Sequence, residues 1–346
     1  MLRAVTLQTG SIYQRERVTI RGDSIGRVLH ALRASGSAEE WLVLSTCGRT
    51  EVYAVTRGIA SSSLDAAIAT SFGALYPGDM PAWRWPLRAS GIDAARHLLR
   101  VAAGLESIVV GDVQLLGQLR TAYAIARAEH TTGPLLNRLC QTALHAGKRS
   151  RAETGIATGA ASMAAAAAQL ALRDDDGQAK RQFLIVGGGQ MGRAIATALH
   201  SRRCENVTVA TRDPDAFAST GGTRFASVVP RSATTGCLSQ ADVLFAASGA
   251  VTQRLTTEAI ARSMAGRDRR PMLILDLAMP RQVDPNVASV PGIRLVTLEA
   301  LECVLSLATR SRSDAVKDVE RIVEEALVRM LAWSPHAQHT VSRLST

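Results

Sequence analysis

Apolar and polar positions alternate over residues 3–7, the mark of a half-buried strand, and an amphipathic helical spacing follows at 25–35. Short apolar runs at 41–44 and 51–55 read as two strands joined by the connector 45–50. Helical spacing returns at 59–76, which ends at Pro77-Gly78, and again at 91–103, 114–130 and 135–152. Loop-like breaks fall at 104–111 and at Thr131-Thr-Gly133-Pro134. Strands early and helices late predict a mixed α+β domain over residues 1–155.

An alanine-rich helix at 160–173 ends in the charged turn Arg173-Asp-Asp-Asp-Gly177. Beyond it, short apolar strands at 182–186, 206–210, 241–246 and 272–276 alternate with helical stretches such as 192–201. This alternation predicts a parallel, doubly wound sheet of Rossmann type over residues 156–290. A strand-like piece at 293–296 and helices at 297–307 and 313–333 form the C-terminal segment, 291–346, with a polar, frayed end. The expected fold class is α/β: an N-terminal α+β domain, a Rossmann-type domain and a C-terminal connecting helix.

At 346 residues, 47% hydrophobic and 20% charged, the chain has the make-up of a globular protein with more than one core. No run of 18 or more apolar residues occurs, and the N-terminus lacks the layout of a signal peptide. The expected location is the cytoplasm, away from membranes. Five widely spaced cysteines, Cys47, Cys140, Cys204, Cys237 and Cys303, show no C-x-x-C pair, so neither a disulfide framework nor a metal site is indicated. The net charge of +10, carried mostly by arginine, suits a polyanionic partner, and it equally suits codon bias in a GC-rich genome. Charge alone leaves both readings open.

Phe183-Leu-Ile-Val-Gly187-Gly-Gly189-Gln-Met-Gly192 is a G-x-G-x-x-G directly after a predicted strand and opening a predicted helix. In such a loop Gly187 permits the tight turn, Gly189 lets a pyrophosphate approach the backbone, and Gly192 lets helix pack on strand. Gly188, Gln190 and Met191 complete the loop, and the phosphates sit at the helix N-terminus. The second strand ends in Val207-Thr-Val-Ala-Thr211-Arg212-Asp213. An NAD site usually has a carboxylate at that strand end; Thr211 and Arg212 suit a 2′-phosphate, so NADPH is the expected cofactor, with Asp213 one residue on keeping NADH open. Ser248-Gly249, after a further apolar strand, is expected to line the same crevice.

Cys47 lies in the connector between two predicted strands, two positions before Arg49, a cation that favours thiolate over thiol. On these residues alone a catalytic and a structural thiol stand about equal. No Cys–His pair is visible in the sequence; His97 is the histidine that could approach in space.

Leu44-Ser-Thr-Cys47-Gly-Arg49-Thr-Glu-Val-Tyr53 resembles the S-T-C-N-R-T-E signature of the glutamyl-tRNA reductase family. The resemblance continues through His97-Leu-Leu-Arg-Val-Ala-Ala-Gly-Leu-Glu-Ser107, Val110-Gly-Asp112-Val-Gln114-Leu-Leu-Gly-Gln118 and Gly133-Pro-Leu-Leu-Asn-Arg138. It then takes in Ala146-Gly-Lys148-Arg149-Ser-Arg151-Ala-Glu-Thr-Gly155, the glycine loop and Asp276-Leu-Ala-Met-Pro280-Arg, covering roughly residues 40–300. It implies an NADPH-dependent reduction of glutamyl-tRNA to glutamate 1-semialdehyde, the first step of five-carbon tetrapyrrole synthesis. By the resemblance, the thiolate of Cys47 attacks the aminoacyl ester and the resulting thioester is reduced. The resemblance likewise makes Arg49 the partner of the substrate carboxylate and His97 a proton-transfer or orienting residue. It sets Thr46, Ser107, Asp112, Gln114 and Gln118 around the substrate. It gives the basic cluster Arg138, Lys148, Arg149 and Arg151 a partner in tRNA, and names the semialdehyde aminomutase as a further partner.

The chain departs from the family at Gly48, where Asn is usual, and at Asp112-Val113-Gln114, where Glu-Pro-Gln is usual. Leu7-Gln-Thr-Gly-Ser-Ile-Tyr13 stands where a His-Lys-Thr-Ala-Pro loop is usual. All three touch the implied amino-acid pocket, so a paralogue acting on another charged tRNA is an alternative, as is an inactive tRNA- or NADPH-binding regulator. The family's helical dimerisation domain is expected to be largely absent, which leaves a homodimer open.

Overall fold

The computed structural model describes residues 2–6, 19–20, 22–46, 49–56, 61–74, 87–107, 111, 114–157, 163–173, 181–219, 227–248, 254–267, 270–308 and 313–333. It divides into two compact units, Met1–Ala160 with Thr309–Thr346, and Ala161–Ala308.

In the first unit, β1 (Leu2–Thr6) is followed by α1 (Gly22–Ala34), β2 (Glu40–Ser45), β3 (Thr50–Val55), α2 (Ser61–Gly73) and β4 (Leu87–Ser90). Three further helices complete the run: α3 (Ile92–Ala103), α4 (Gln114–Ala128) and α5 (Pro134–Glu153). The sheet order is β2-β3-β1-β4, with antiparallel neighbours. Every residue of β3 is buried and so are five of six in β2, so both faces of these strands are covered. Trp41, Tyr53, Phe72, Leu98 and Leu99 are the bulk of the filling. Strand β4 carries no strong alternation and was not among the expected strands; its backbone pairing to β1 makes it one.

Glu40, at the head of β2, is buried, and its carboxylate accepts from three backbone N–H groups at the start of α5. These are Gly133 at 3.0 Å, Leu135 at 3.1 Å and Leu136 at 2.7 Å. An anion there satisfies donors that the helix cannot pair internally and complements its dipole. Since Gly133 precedes Pro134 and has no side chain to cap the helix, the cap comes from another element. Thr131 ties the same corner to β2, accepting from Trp41 N at 2.7 Å and donating to Trp41 O at 3.0 Å.

The second unit runs α6 (Met163–Leu172), β5 (Phe183–Val186), α7 (Gln190–His200), β6 (Val207–Thr211), α8 (Pro214–Ser219), β7 (Ser227–Pro230) and α9 (Thr234–Leu238). It continues with β8 (Val243–Ala246), α10 (Thr257–Met264), β9 (Met272–Asp276), β10 (Ile293–Thr297) and α11 (Leu298–Ala308). Its strands pair in parallel in the order β10-β9-β8-β5-β6-β7. The order reverses between β5 and β8, and at such a switch point a crevice opens beyond the strand ends. The unit extends past the expected limit of 290, because β10 pairs with β9 from Ile293↔Met272 to Thr297↔Asp276.

The last helix, α12 (Ser313–Trp333), belongs to the first unit. Val319, Ile322, Val323, Ala326, Leu327 and Met330 form one buried stripe at helical spacing and join the first unit's core. Glu324 pairs with Arg96 at 2.7 Å, Glu325 with Arg149 at 3.2 Å, and Glu320 with Arg100. The expected connecting helix is thus packed along α3 and α5. Among the described residues no helix is long and apolar enough to cross a membrane.

Removing the Glu40 carboxylate strands three helix-terminal donors. Glu40→Ala is expected to cost about 2 kcal/mol of stability and Glu40→Gln less, read as the shift in the urea unfolding curve.

Candidate active site

Strands β2 and β3 stay in register up to Ser45↔Thr50, whose hydroxyls lie 2.9 Å apart. The hairpin then closes: Thr46 N donates to Arg49 O at 2.8 Å and Arg49 N to Thr46 Oγ1 at 3.2 Å. Cys47 and Gly48, between these two anchors, lie outside the described residues. Arg49 is buried and turned back into the protein, where Nη1 pairs with Glu51 Oε1 at 3.0 Å and Nη2 donates to Glu106 O.

Glu51 is the centre of this arrangement. It is fully buried, and besides Arg49 it accepts from His97 Nε2 at 3.1 Å and from Tyr53 Oη at 2.6 Å. Burial by itself raises the carboxyl pKa, but the Arg49 guanidinium and the His97 and Tyr53 hydrogen bonds outweigh it and hold the value at about 2. Tyr53 moves the other way: burial and the adjacent Glu51 charge push its pKa well above the usual phenol value. An ionised carboxylate only accepts, so the 3.1 Å contact places an N–H on His97 Nε2. The two rings stack, with centroids 6.4 Å apart. Helix α3 presents His97 on its buried face, in line with Leu98, Val101 and Ala102.

Of the other expected substrate residues, Thr46 is part of the turn, and Ser107 follows Glu106, whose carbonyl receives Arg49. The Ser107 hydroxyl is buried and has no hydrogen-bond partner among the described residues. Gln118 is half-buried on α4, Gln114 opens that helix, and Asp112 and Val113 lie outside the described residues. Glu51 stands in the signature segment but was not among the expected site residues. Its carboxylate follows the Cys47–Arg49 run by two positions on a strand, and that spacing was the available signal. The basic cluster of α5 is largely committed to the fold. Arg149 pairs with Glu153 and Glu325, Arg151 donates to Ala102 O and Gly147 O, and Arg138 lies over the Trp333 ring, while Lys148 is exposed.

In the second unit the glycine loop runs from β5 into α7. Gly187 adopts φ 126°, and a methyl group there would stand 2.7 Å from Ala247 O, so β5 and β8 close tightly at this point. A methyl group at Gly192 would fall 1.8 Å from Gly187 O, so only glycine lets α7 start against its own strand. At Gly188 it would meet Thr211 Oγ1 at 2.5 Å, whereas at Gly189 no described residue lies within 4 Å. Gly189 caps α7 with no side-chain hydrogen bond, so among the described residues no side chain fills the donors of the helix N-terminus. A pyrophosphate fits that setting. Gln190 is exposed and Met191 half-buried on the first turn of α7. Thr211 is buried against Gly188, which leaves the exposed Arg212 as the outward-facing group at the end of β6. Asp213 Oδ1 accepts from Ala216 N at 2.8 Å, capping α8. Ser248 is buried beside the loop, and Gly249 lies outside the described residues.

A second unit with a parallel Rossmann sheet and a glycine loop, in one chain with a first unit built around a buried Arg–Glu–His centre, defines a dinucleotide-dependent oxidoreductase. Residues 4–154 match the family model described as "Glutamyl-tRNAGlu reductase, N-terminal domain", and residues 169–304 match "Shikimate / quinate 5-dehydrogenase". Glutamyl-tRNA reductase of Syntrophotalea carbinolica is 35% identical over 94% of this chain and 73% of its own length. That of Deinococcus radiodurans is 33% identical over 94% of this chain and 90% of its own length. The solved glutamyl-tRNA reductase of Methanopyrus kandleri is 29% identical, with a TM-score of 0.48 over 95% of this chain and 79% of that chain. The chain belongs to the glutamyl-tRNA reductase family.

Because the Glu51 pKa is depressed from 4.5 to about 2, its contribution to stability is complete above pH 4.5 and is lost as the pH falls towards 2. Glu51→Gln is therefore expected to be less stable near neutrality and to show a flatter decline between those limits, measured by denaturant unfolding across pH. Gly189→Ala, whose methyl group enters open space, is expected to retain the wild-type melting temperature and to lose NADPH affinity in a fluorescence titration. Gly192→Ala is expected to lose both.

Proposed function

We propose that this chain reduces glutamyl-tRNA to glutamate 1-semialdehyde through a thioester on Cys47, and that its product passes to a semialdehyde aminomutase. The observation that carries the residue assignment is the buried, ionised Glu51, which holds Arg49 and His97 in fixed relation next to the Cys47 segment. The Cys47 thiolate adds to the ester carbonyl and the tRNA leaves through its ribose oxygen, which takes up a proton. Arg49 has five N–H donors, of which Glu51 and Glu106 O engage two, so its planar fork keeps donors for the substrate's side-chain carboxylate. Ser107 offers a buried hydroxyl and directly follows Glu106, whose carbonyl accepts from Arg49. His97, with Nε2–H fixed by Glu51, uses Nδ1 to accept or return a proton. Thr46 holds the turn, while Gly48, Asp112, Val113, Gln114 and Gln118 shape the amino-acid pocket.

Gly187 to Gly192 would hold the pyrophosphate of NADPH at the start of α7, with Arg212 toward its 2′-phosphate and Thr211, Ser248 and Gly249 as further cofactor-binding residues. When bound, NADPH would supply the hydride that takes the thioester to the aldehyde, breaking the C–S bond and returning Cys47 as the thiolate.

Cys47→Ser is expected to abolish both NADPH oxidation and trapped aldehyde when the enzyme is given glutamyl-tRNA; undiminished turnover would remove Cys47 from the mechanism. Presenting a panel of charged tRNAs to the wild type should give aldehyde from glutamyl-tRNA, and a product from another member alone would reassign the substrate.

A further inference from the structure

The glycine loop accounts for a pyrophosphate, yet a second polar space beside it remains without a role. A cavity of 190 Å³ is lined by Val186, Arg231, Thr234, Arg254 and Gln282, among others. Val186 ends β5 and immediately precedes Gly187, so the cavity adjoins the loop on the same edge of the sheet. Strands β6 and β7 end in the register pair Thr211↔Pro230, and the next residue on each is an arginine, Arg212 and Arg231.

Arg212 is exposed and Arg231 is buried. The Arg231 side chain reaches back across the sheet edge, where Nη1 donates to Ser248 Oγ at 2.5 Å. Ser248 N donates in turn to Gln282 Oε1 at 3.2 Å. The other end of that amide is the informative one. Gln282 is 3% exposed, and its Nε2 is buried with no hydrogen-bond partner among the described residues. A buried amide donor without an acceptor is costly, and an acceptor in the cavity relieves the cost. Burial, and then the neighbouring Arg212 charge, push the Arg231 pKa down, so the protonated guanidinium sits where an anion lowers its energy. Two cations, Arg231 and Arg254, and a neutral amide donor lining one cavity, with Arg212 as a further cation outside it, form a donor set suited to a phosphate monoester.

We propose that this cavity receives the 2′-phosphate at the adenosine end of NADPH, with Arg231 and the Gln282 amide as its inner donors and Arg212 as its outer cation. Arg231 is then a specificity-determining residue for NADPH over NADH. This assignment rests on the reading of the second unit as an NADPH site. It adds two residues, 231 and 282, that lie far from the end of β6 in sequence.

The test is equilibrium binding of NADPH and NADH to the full chain, followed by nicotinamide fluorescence. The wild type is expected to prefer NADPH. Arg231→Met should weaken NADPH at least about tenfold, the size expected for one charge-assisted contact, and shift NADH less than about twofold. Gln282→Leu should move the ratio in the same direction by a smaller factor, and Arg231→Lys should restore part of the preference. If Arg231→Met fails to fold by circular dichroism, the ratio in the other two variants decides. Equal weakening of both dinucleotides makes Arg231 a structural residue and overturns the proposal, as does a preference that survives in every folded variant. A wild type that binds neither dinucleotide overturns the cofactor reading itself and the assignment with it, whereas a wild-type preference untouched by substitution overturns the assignment alone.

Discussion

A carboxylate with no exposure to water is the constraint on which the first unit's chemistry depends. Taking Glu51 out of water costs several kcal/mol, and the cost is tolerable only because Arg49, His97 and Tyr53 all direct donors at it. Those donors come from the hairpin turn, from α3 and from β3 itself, so three elements are fixed by one charge. The arrangement continues outward. Arg49 also reaches Glu106 O, the Glu106 carboxylate takes Arg100 Nε at 2.6 Å, and Arg100 pairs with Glu320 of α12. Buried ion pairs are weak evidence for stability, since apolar side chains of the same volume do as well. What this one provides is a fixed direction for a guanidinium and for an imidazole N–H.

The second unit reaches fixed geometry by exclusion. Parallel strands β5 and β8 approach so closely beyond their ends that Gly187 and Ala247 leave no room for a methyl group, and Gly192 is pressed against Gly187 O. Crowding at those two positions contrasts with the emptiness at Gly189. The same six-residue loop, Gly187 to Gly192, therefore both closes the helix onto the strand and leaves its N-terminus without a side-chain cap among the described residues.

The sequence was most legible where one period ran undisturbed. Strands β2, β3, β5, β6, β8 and β9 and the long helices follow from alternation or helical spacing, and the glycine loop follows from its spacing after a strand. Strands β4 and β7 did not stand out, because Leu87–Ser90 and Ser227–Pro230 are four residues long and are defined by pairing rather than by pattern. The extent of the second unit was missed for a related reason: whether Ile293–Thr297 joins a sheet is a question of partner, which composition does not carry. Within the site, Arg49 and His97 were legible as candidates, but their common partner was not. A glutamate on a strand reads as a surface residue until tertiary contacts bury it. Arg231 and Gln282 were silent for the same reason, being ordinary polar residues in loop-like sequence that the fold carries to one edge.

The positive balance of the chain, +10, invites a search for an anion-binding face, and α5 with its run of basic residues is the obvious place. The structure shows why density of charge misleads there. Arg149 is held by two carboxylates, and both Arg149–Glu153 and Arg149–Glu325 pull its pKa up, the sign of a cation already satisfied. Arg151 spends its donors on helix carbonyls. Arg231 carries the opposite sign: its pKa is lowered, with burial first and another arginine second among the causes. A cation surrounded by anions contributes little field beyond its own pair, whereas a cation beside a cation raises the local positive potential and favours an incoming anion. The location of an anion site therefore follows from which arginines the fold leaves next to each other, and the number of arginines on a helix says little about it.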